Sequence, residues 1–227
     1  MTAQTANATT TKRINTQWLA PAGLILLSLI PILAGAARLT ELTGGAVSTP
    51  ANARFLNSPV PIVTHIVSVT IYSLIGAFQF VPALRGRRGW HRLAGRVLIP
   101  AGLVAALSGL WMAIFYPHAH GFGDLMLVFR LVFGSAMIVS IILGIRAIIR
   151  RDFAAHGAWM TRGYAIAMGA GTQALILIPG SIIFGTTQNV PGAILFGLAW
   201  IINLAIAERV IRARASHIHQ PTRKVSS

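Results

Sequence analysis

The sequence has no cysteine and only four acidic residues among 227. The first absence excludes disulfides, thiolate metal sites and thiol redox chemistry, and it removes the usual clue to redox compartment. The second leaves Glu41, Asp124, Asp152 and Glu208, none near the middle of an apolar run. Proton-driven transporters need an intramembrane carboxylate or a comparable relay, so small-molecule transport is disfavoured. Charge of any sign is scarce: 10% of residues are charged, against roughly 25% in soluble domains. P-loop, nucleophile-elbow and HExxH sequences are also missing.

Apolar residues are what the chain has in abundance. They make up 55% of it, with a mean hydropathy of +0.69. Runs of ~20 apolar residues match a hydrocarbon core of ~30 Å, and six occur, at about 17–37, 61–84, 93–116, 125–149, 163–184 and 191–211. The expected fold is all-α: a polytopic membrane helix bundle of six transmembrane helices, with a four-helix core from spans two to five. It forms one domain over 17–211. A Thr-, Ala- and Asn-rich segment, 1–16, precedes it and is expected to be disordered. A basic tail, 212–227, follows it. The basic flank of span one and its Ala34-Gly35-Ala36 end also fit a signal peptide; the full-length apolar run favours a retained helix. In the longest loop, 38–60, Ser58 fits an N-cap and Pro59 the first helical position.

The net charge of +15 reads as membrane topology rather than nucleic-acid binding. Sixteen of the nineteen Lys and Arg residues fall on one side: Lys12, Arg13, Arg85, Arg87, Arg88, Arg92, Arg96, Arg146, Arg150, Arg151, Arg162, Arg209, Arg212, Arg214, Arg223 and Lys224. Arg38 and Arg54 lie on the other side, and Arg130 lies within span four. The positive-inside rule then places both termini in the cytoplasm, the membrane being a bacterial inner or plasma membrane. The expected partners are anionic lipids. A weak internal repeat accompanies this pattern: Arg87-Arg88-Gly-Trp-His91 in one basic turn resembles Arg150-Arg151-Asp-Phe-Ala-Ala-His156 in the next.

Histidines mark both sides. His65 lies about one turn into span two from the outer side, and His118 and His120 follow the outer end of span three. His91 and His156 precede spans three and five on the cytoplasmic side. Ionisable residues near membrane helix ends are functional-site candidates. Two sided pairs, His65 with His118 or His120 and His91 with His156, suit the axial ligation of two b haems. Gly89, Gly95, Gly157 and Gly163 would leave room for a flat macrocycle. Arg92, Arg96 and Arg162 inside, and Arg130 outside, would meet the propionates. Asp124 is a candidate partner for Arg130. Each histidine also has a plain structural reading, as a solvated interface residue or a bond to a neighbouring helix. His118-x-His120 and His217-x-His219 have weak metal-chelating spacing. Gln173 and Asn203 are read as helix–helix hydrogen bonds, and the glycines from 163 to 171 as close packing.

The segments Gly76-Ala-Phe-Gln79-Phe80…Leu84-Arg85…His91-Arg92-x-x-Gly95-Arg96 and His156-x-x-Trp159-Met160-x-Arg162-x-Tyr164 resemble the signature of domain-of-unknown-function family 2306. That resemblance covers about residues 60–185 and implies a multi-span membrane fold without naming a reaction. The four-histidine layout is similar, more weakly, to the bis-haem transmembrane cytochrome b reductases. There four core helices each supply one ligand, paired first with third and second with fourth. The position of His118 and His120 before span four departs from that pattern, and an ascorbate site is not carried over. The leading expectation is a haem b-binding transmembrane electron-transfer protein with an electron donor or acceptor as partner. The alternative is a non-enzymatic membrane scaffold or assembly factor with lipid-binding cytoplasmic turns. Whether the protein is an enzyme stays open.

Overall fold

A chain this apolar satisfies its backbone in hydrocarbon by closing every N–H and C=O within helices. The computed structural model describes residues 16–85, 88–117, 123–184 and 190–218. After a 3-10 turn at Thr16–Trp18, its helices are α1 (Leu19–Thr43), α2 (Ala53–Asn57), α3 (Pro59–Phe78), α4 (Pro82–Arg85), α5 (Arg88–Phe115), α6 (Gly123–Ile149), α7 (Phe153–Ala167), α8 (Gly169–Phe184) and α9 (Val190–Ile218). No strand occurs among the described residues. Six stretches are long and apolar enough to cross a membrane, α7 and α8 together forming one of them. The protein is an all-α, multi-pass membrane bundle.

Helices α3, α5, α6 and α7 pack in sequence into a ring that closes where α7 meets α3. In this ring α5 stands diagonally to α7, and α3 to α6. Helix α1 lies against α3 and α8, and α9 against α6, α7 and α8. The centre of the ring is filled by Tyr72, Leu98, Met137, Ile141 and Tyr164, all buried. One end carries the arginine-rich turns and is called the basic end below. The other carries residues 44–58 and 116–117 and is called the loop end.

Helix ends depart from the apolar runs where polar side chains find tertiary partners. Span five starts at Phe153 rather than Gly163. Asp152 caps α7 by accepting from the Ala155 amide at 2.9 Å, and Arg151 enters the cap with φ of +60°. Helix α5 likewise starts at Arg88, and α9 runs on to Ile218, into the segment assigned to the tail. His91 and His156 therefore sit inside helices rather than ahead of them. Pro59 does occupy the first turn of α3, but the Ser58 side chain makes no cap. Its carbonyl instead accepts from the Tyr116 hydroxyl at 2.6 Å.

Span five breaks at Met168, between α7 and α8. The break frees carbonyls within the membrane, and α9 satisfies two of them. Asn203 Nδ2 donates to Ala165 O at 3.1 Å and Trp200 Nε1 to Ile166 O at 3.2 Å. Thr172 donates to Asn203 Oδ1 at 2.8 Å, and Gln173 Nε2 to Phe196 O at 3.4 Å. Gly171 is required here: a Cβ would lie 2.2 Å from the Leu27 carbonyl oxygen of α1. Asn203, Gln173 and the glycines thus serve helix contacts, as their positions predict.

Candidate functional site

At the basic end, α7 spends its motif side chains on three neighbours. Facing α6, His156 Nδ1 lies 2.9 Å from the Gly144 carbonyl oxygen. One turn on, the Met160 sulfur occupies the space a Cβ on Gly144 would need, 2.6 Å from that position. Facing α9, the Arg162 guanidinium lies 4.6 Å from the Trp159 ring centroid. It also donates to both oxygens of Glu208, from Nε at 2.5 Å and Nη2 at 3.1 Å. Facing α3, Tyr164 donates its hydroxyl to Ser73 O at 2.7 Å. Its ring lies where a Cβ on Gly76 would meet it at 2.3 Å, and it packs against Tyr72 and Phe80. Residues 156 and 160 share one helix face, 159 and 162 another, as i, i+4 and i, i+3 spacing requires.

The other predicted residues fall in different settings. His91 is half-buried in the first turn of α5, while Arg92 and Arg96 are exposed. His91 and His156 are on diagonal helices, but the His156 ring is bonded to α6, and Tyr72 and Tyr164 fill the ring's centre. His65 Nδ1 lies 2.9 Å from Ala105 O and 3.1 Å from Ser108 Oγ, both on α5. Gly109 admits its ring, since a Cβ there would stand 3.3 Å from it. His65 also lines a cavity of about 130 Å³ together with Ser28 of α1, Thr70 and Ser73 of α3, and Met168 at the span-five break. His118, His120 and His219 lie outside the described residues. Arg130 is exposed on α6. Its expected bond to Asp124 is not formed: among the described residues the ion pairs are Arg38–Glu41 and Arg162–Glu208. Among the same residues, no group of three or more His, Asp or Glu side chains is placed to hold a metal ion.

The loop end holds residues that sequence reasoning passed over. A cavity of about 570 Å³ is lined by Arg54, Asn57, Ser58, Trp111, Phe115 and Tyr116, among others. Arg54 Nη1 donates to Pro117 O at 3.3 Å, and its Nε is buried with no hydrogen-bond acceptor among the described residues. The guanidiniums of Arg38 and Arg54 lie 4.6 and 4.7 Å from the Phe55 ring centroid. Burial, and then the charge of Arg38, hold the Arg54 pKa below its usual range. Glu41 is engaged by Arg38 and by Asn52 Nδ2, the latter at 2.6 Å. One signal did exist in the sequence, because Arg38 and Arg54 are the exceptions to the sided charge.

Residues 62–211 match the family described as predicted membrane protein (DUF2306). No curated protein and no solved structure matches the chain. The matched region runs from Ile62 in α3 to Ile211 in α9, so it contains the hydrogen bonds by which His156, Arg162 and Tyr164 fasten α7 to α6, α9 and α3. By this match over most of its length, the chain belongs to the DUF2306 family of predicted membrane proteins.

Proposed function

We propose that the protein is a non-enzymatic membrane scaffold whose basic end sits in the cytoplasm and grips acidic lipid through its exposed arginines. The observation that carries this reading is the use of the α7 motif. His156, Met160, Arg162 and Tyr164 each meet a neighbouring helix. Arg92, Arg96, Arg150 and Arg151 remain exposed, beside the exposed rings of Trp90 and Phe153. Exposed arginines beside aromatic rings suit a headgroup boundary, and each basic residue near an anionic surface adds roughly 1 kcal/mol of attraction. Native mass spectrometry of protein extracted with its lipids tests this. Retained phosphatidylglycerol should fall in Arg92→Ala/Arg96→Ala while the fold is unchanged. Unaltered retention counts against the scaffold reading.

A haem b electron-transfer role is the second reading, favoured by one observation. In His65 and in His156 a ring Nδ1 faces a backbone carbonyl at 2.9 Å. Donation from Nδ1 leaves Nε2 with its lone pair, the arrangement found in metal-ligating histidines. The surroundings do not fit the group. The cavity at His65 is about 130 Å³, room for a few waters at roughly 30 Å³ each rather than for a porphyrin. His156 is bonded to α6, and aromatic rings close the space towards α5. A Soret band in protein made with haem available, reduced by His91→Ala or His156→Ala, would favour this second reading.

A further inference from the structure

The three arginines that the sequence places away from the basic end all lie towards the loop end, Arg38 and Arg54 against the Phe55 ring and Arg130 near the start of α6. Glu41 is already held by Arg38 and Asn52, and Asp124 forms an ion pair with none of the three. Arg54 lines the 570 Å³ cavity, and Arg130 stands one turn beyond the Gly134–Leu110 contact, beside the same end of α5, with no carboxylate partner for either among the described residues. A buried donor with no acceptor among the described residues, such as Arg54 Nε, is costly in a folded protein unless another group meets it. An anion bearing several oxygens is the natural complement, because guanidinium forks match phosphate oxygens in pairs.

The cavity is not a purely polar anion site. Trp111 and Phe115 form part of its wall, and both continue onto the lipid-facing side of α5, with exposures of 38% and 63%. Its volume lies within the range of roughly 300–1,000 Å³ typical of small-molecule sites. Apolar walls leading to the bilayer, joined to uncompensated arginines, describe an amphiphile. We propose that this cavity binds the headgroup of an acidic phospholipid, with the phosphodiester between Arg54 and Arg130 and an acyl chain leaving along Trp111 and Phe115. Tyr116 bounds the site rigidly, since its hydroxyl is fixed on Ser58 O at 2.6 Å and its ring is held edge-on by Phe55 and Trp111.

The site is independent of the arginines at the basic end, so the two can be tested apart. Full-length protein would be delipidated in detergent and titrated separately with phosphatidylglycerol, phosphatidylcholine and inorganic phosphate, with bound species counted by native mass spectrometry. One tightly bound phosphatidylglycerol is expected, with affinity about tenfold weaker in Arg54→Gln and in Arg130→Gln, as loss of a charge-assisted hydrogen bond implies. Arg92→Ala should leave this molecule in place. Arg130→Gln keeps the test decisive if Arg54→Gln misfolds, because Arg130 is exposed. Equal retention of phosphatidylcholine, undiminished phosphatidylglycerol binding in Arg130→Gln, or saturation of the site by inorganic phosphate alone would each overturn the proposal.

Discussion

The two ends of the bundle solve the problem of polar side chains in a membrane in opposite ways. At the basic end, helix α7 carries His156, Arg162 and Tyr164, and each is matched to a group on another helix. At the loop end, Arg54 keeps a buried Nε without an acceptor among the described residues, beside a cavity, and Arg130 has no ion pair among them either. The difference teaches that a recurring motif and a binding site need not coincide. The residues that look most like chemistry in the sequence fasten helices together, whereas the residues best placed for a ligand belong to no motif.

Substitutions at the fastened end should produce the largest losses. Tyr164→Ala removes a buried ring and its hydrogen bond, and should lower stability by about 3–5 kcal/mol in a reversible detergent unfolding assay. Tyr164→Phe keeps the ring and should lose only about 1 kcal/mol. A comparable loss in both variants would show that the ring's fit against Gly76 is unimportant. Gly171→Ala should be nearly as damaging as Tyr164→Ala, because its Cβ would meet backbone of α1 rather than a movable side chain. A fall of several degrees in melting temperature is expected.

Smaller effects separate the fasteners from one another. Glu208→Gln leaves Arg162 in place but discharges its partner. It should cost about 1 kcal/mol, since the pair is only partly buried. High salt should narrow the gap to the parent protein. His156→Ala should cost a similar amount through the lost bond to Gly144 O. At the loop end Arg130→Gln should leave the melting temperature unchanged, because it makes no described bond. A strong destabilisation there would erase the contrast between the ends.

The sequence was informative wherever a pattern is local. Six apolar runs, sided arginines and the roles of Asn203, Gln173 and the glycines after 163 follow from hydropathy, charge and spacing. Hydropathy starts span five at Gly163 rather than Phe153 because His156 and Arg162 lower it, and their partners lie on other helices, invisible to a window. Arg162 pairs with Glu208, forty-six residues away. His65 and His156 point to backbone carbonyls, and a carbonyl has no residue-type signature. Asp124 is the acid nearest Arg130 in the sequence, yet the two form no ion pair, because six residues set them on different turns of α6.

The claim that the α7 motif exists to fasten helices is tested most directly by a double-mutant cycle between Gly76→Ala and Tyr164→Ala, read by unfolding in detergent. Each change alone should destabilise, the first by driving a methyl into the ring and the second by emptying its space. Together they should cost clearly less than their sum, because the methyl then enters the vacated volume. Losses that simply add would contradict the account and leave the tyrosine free for another role.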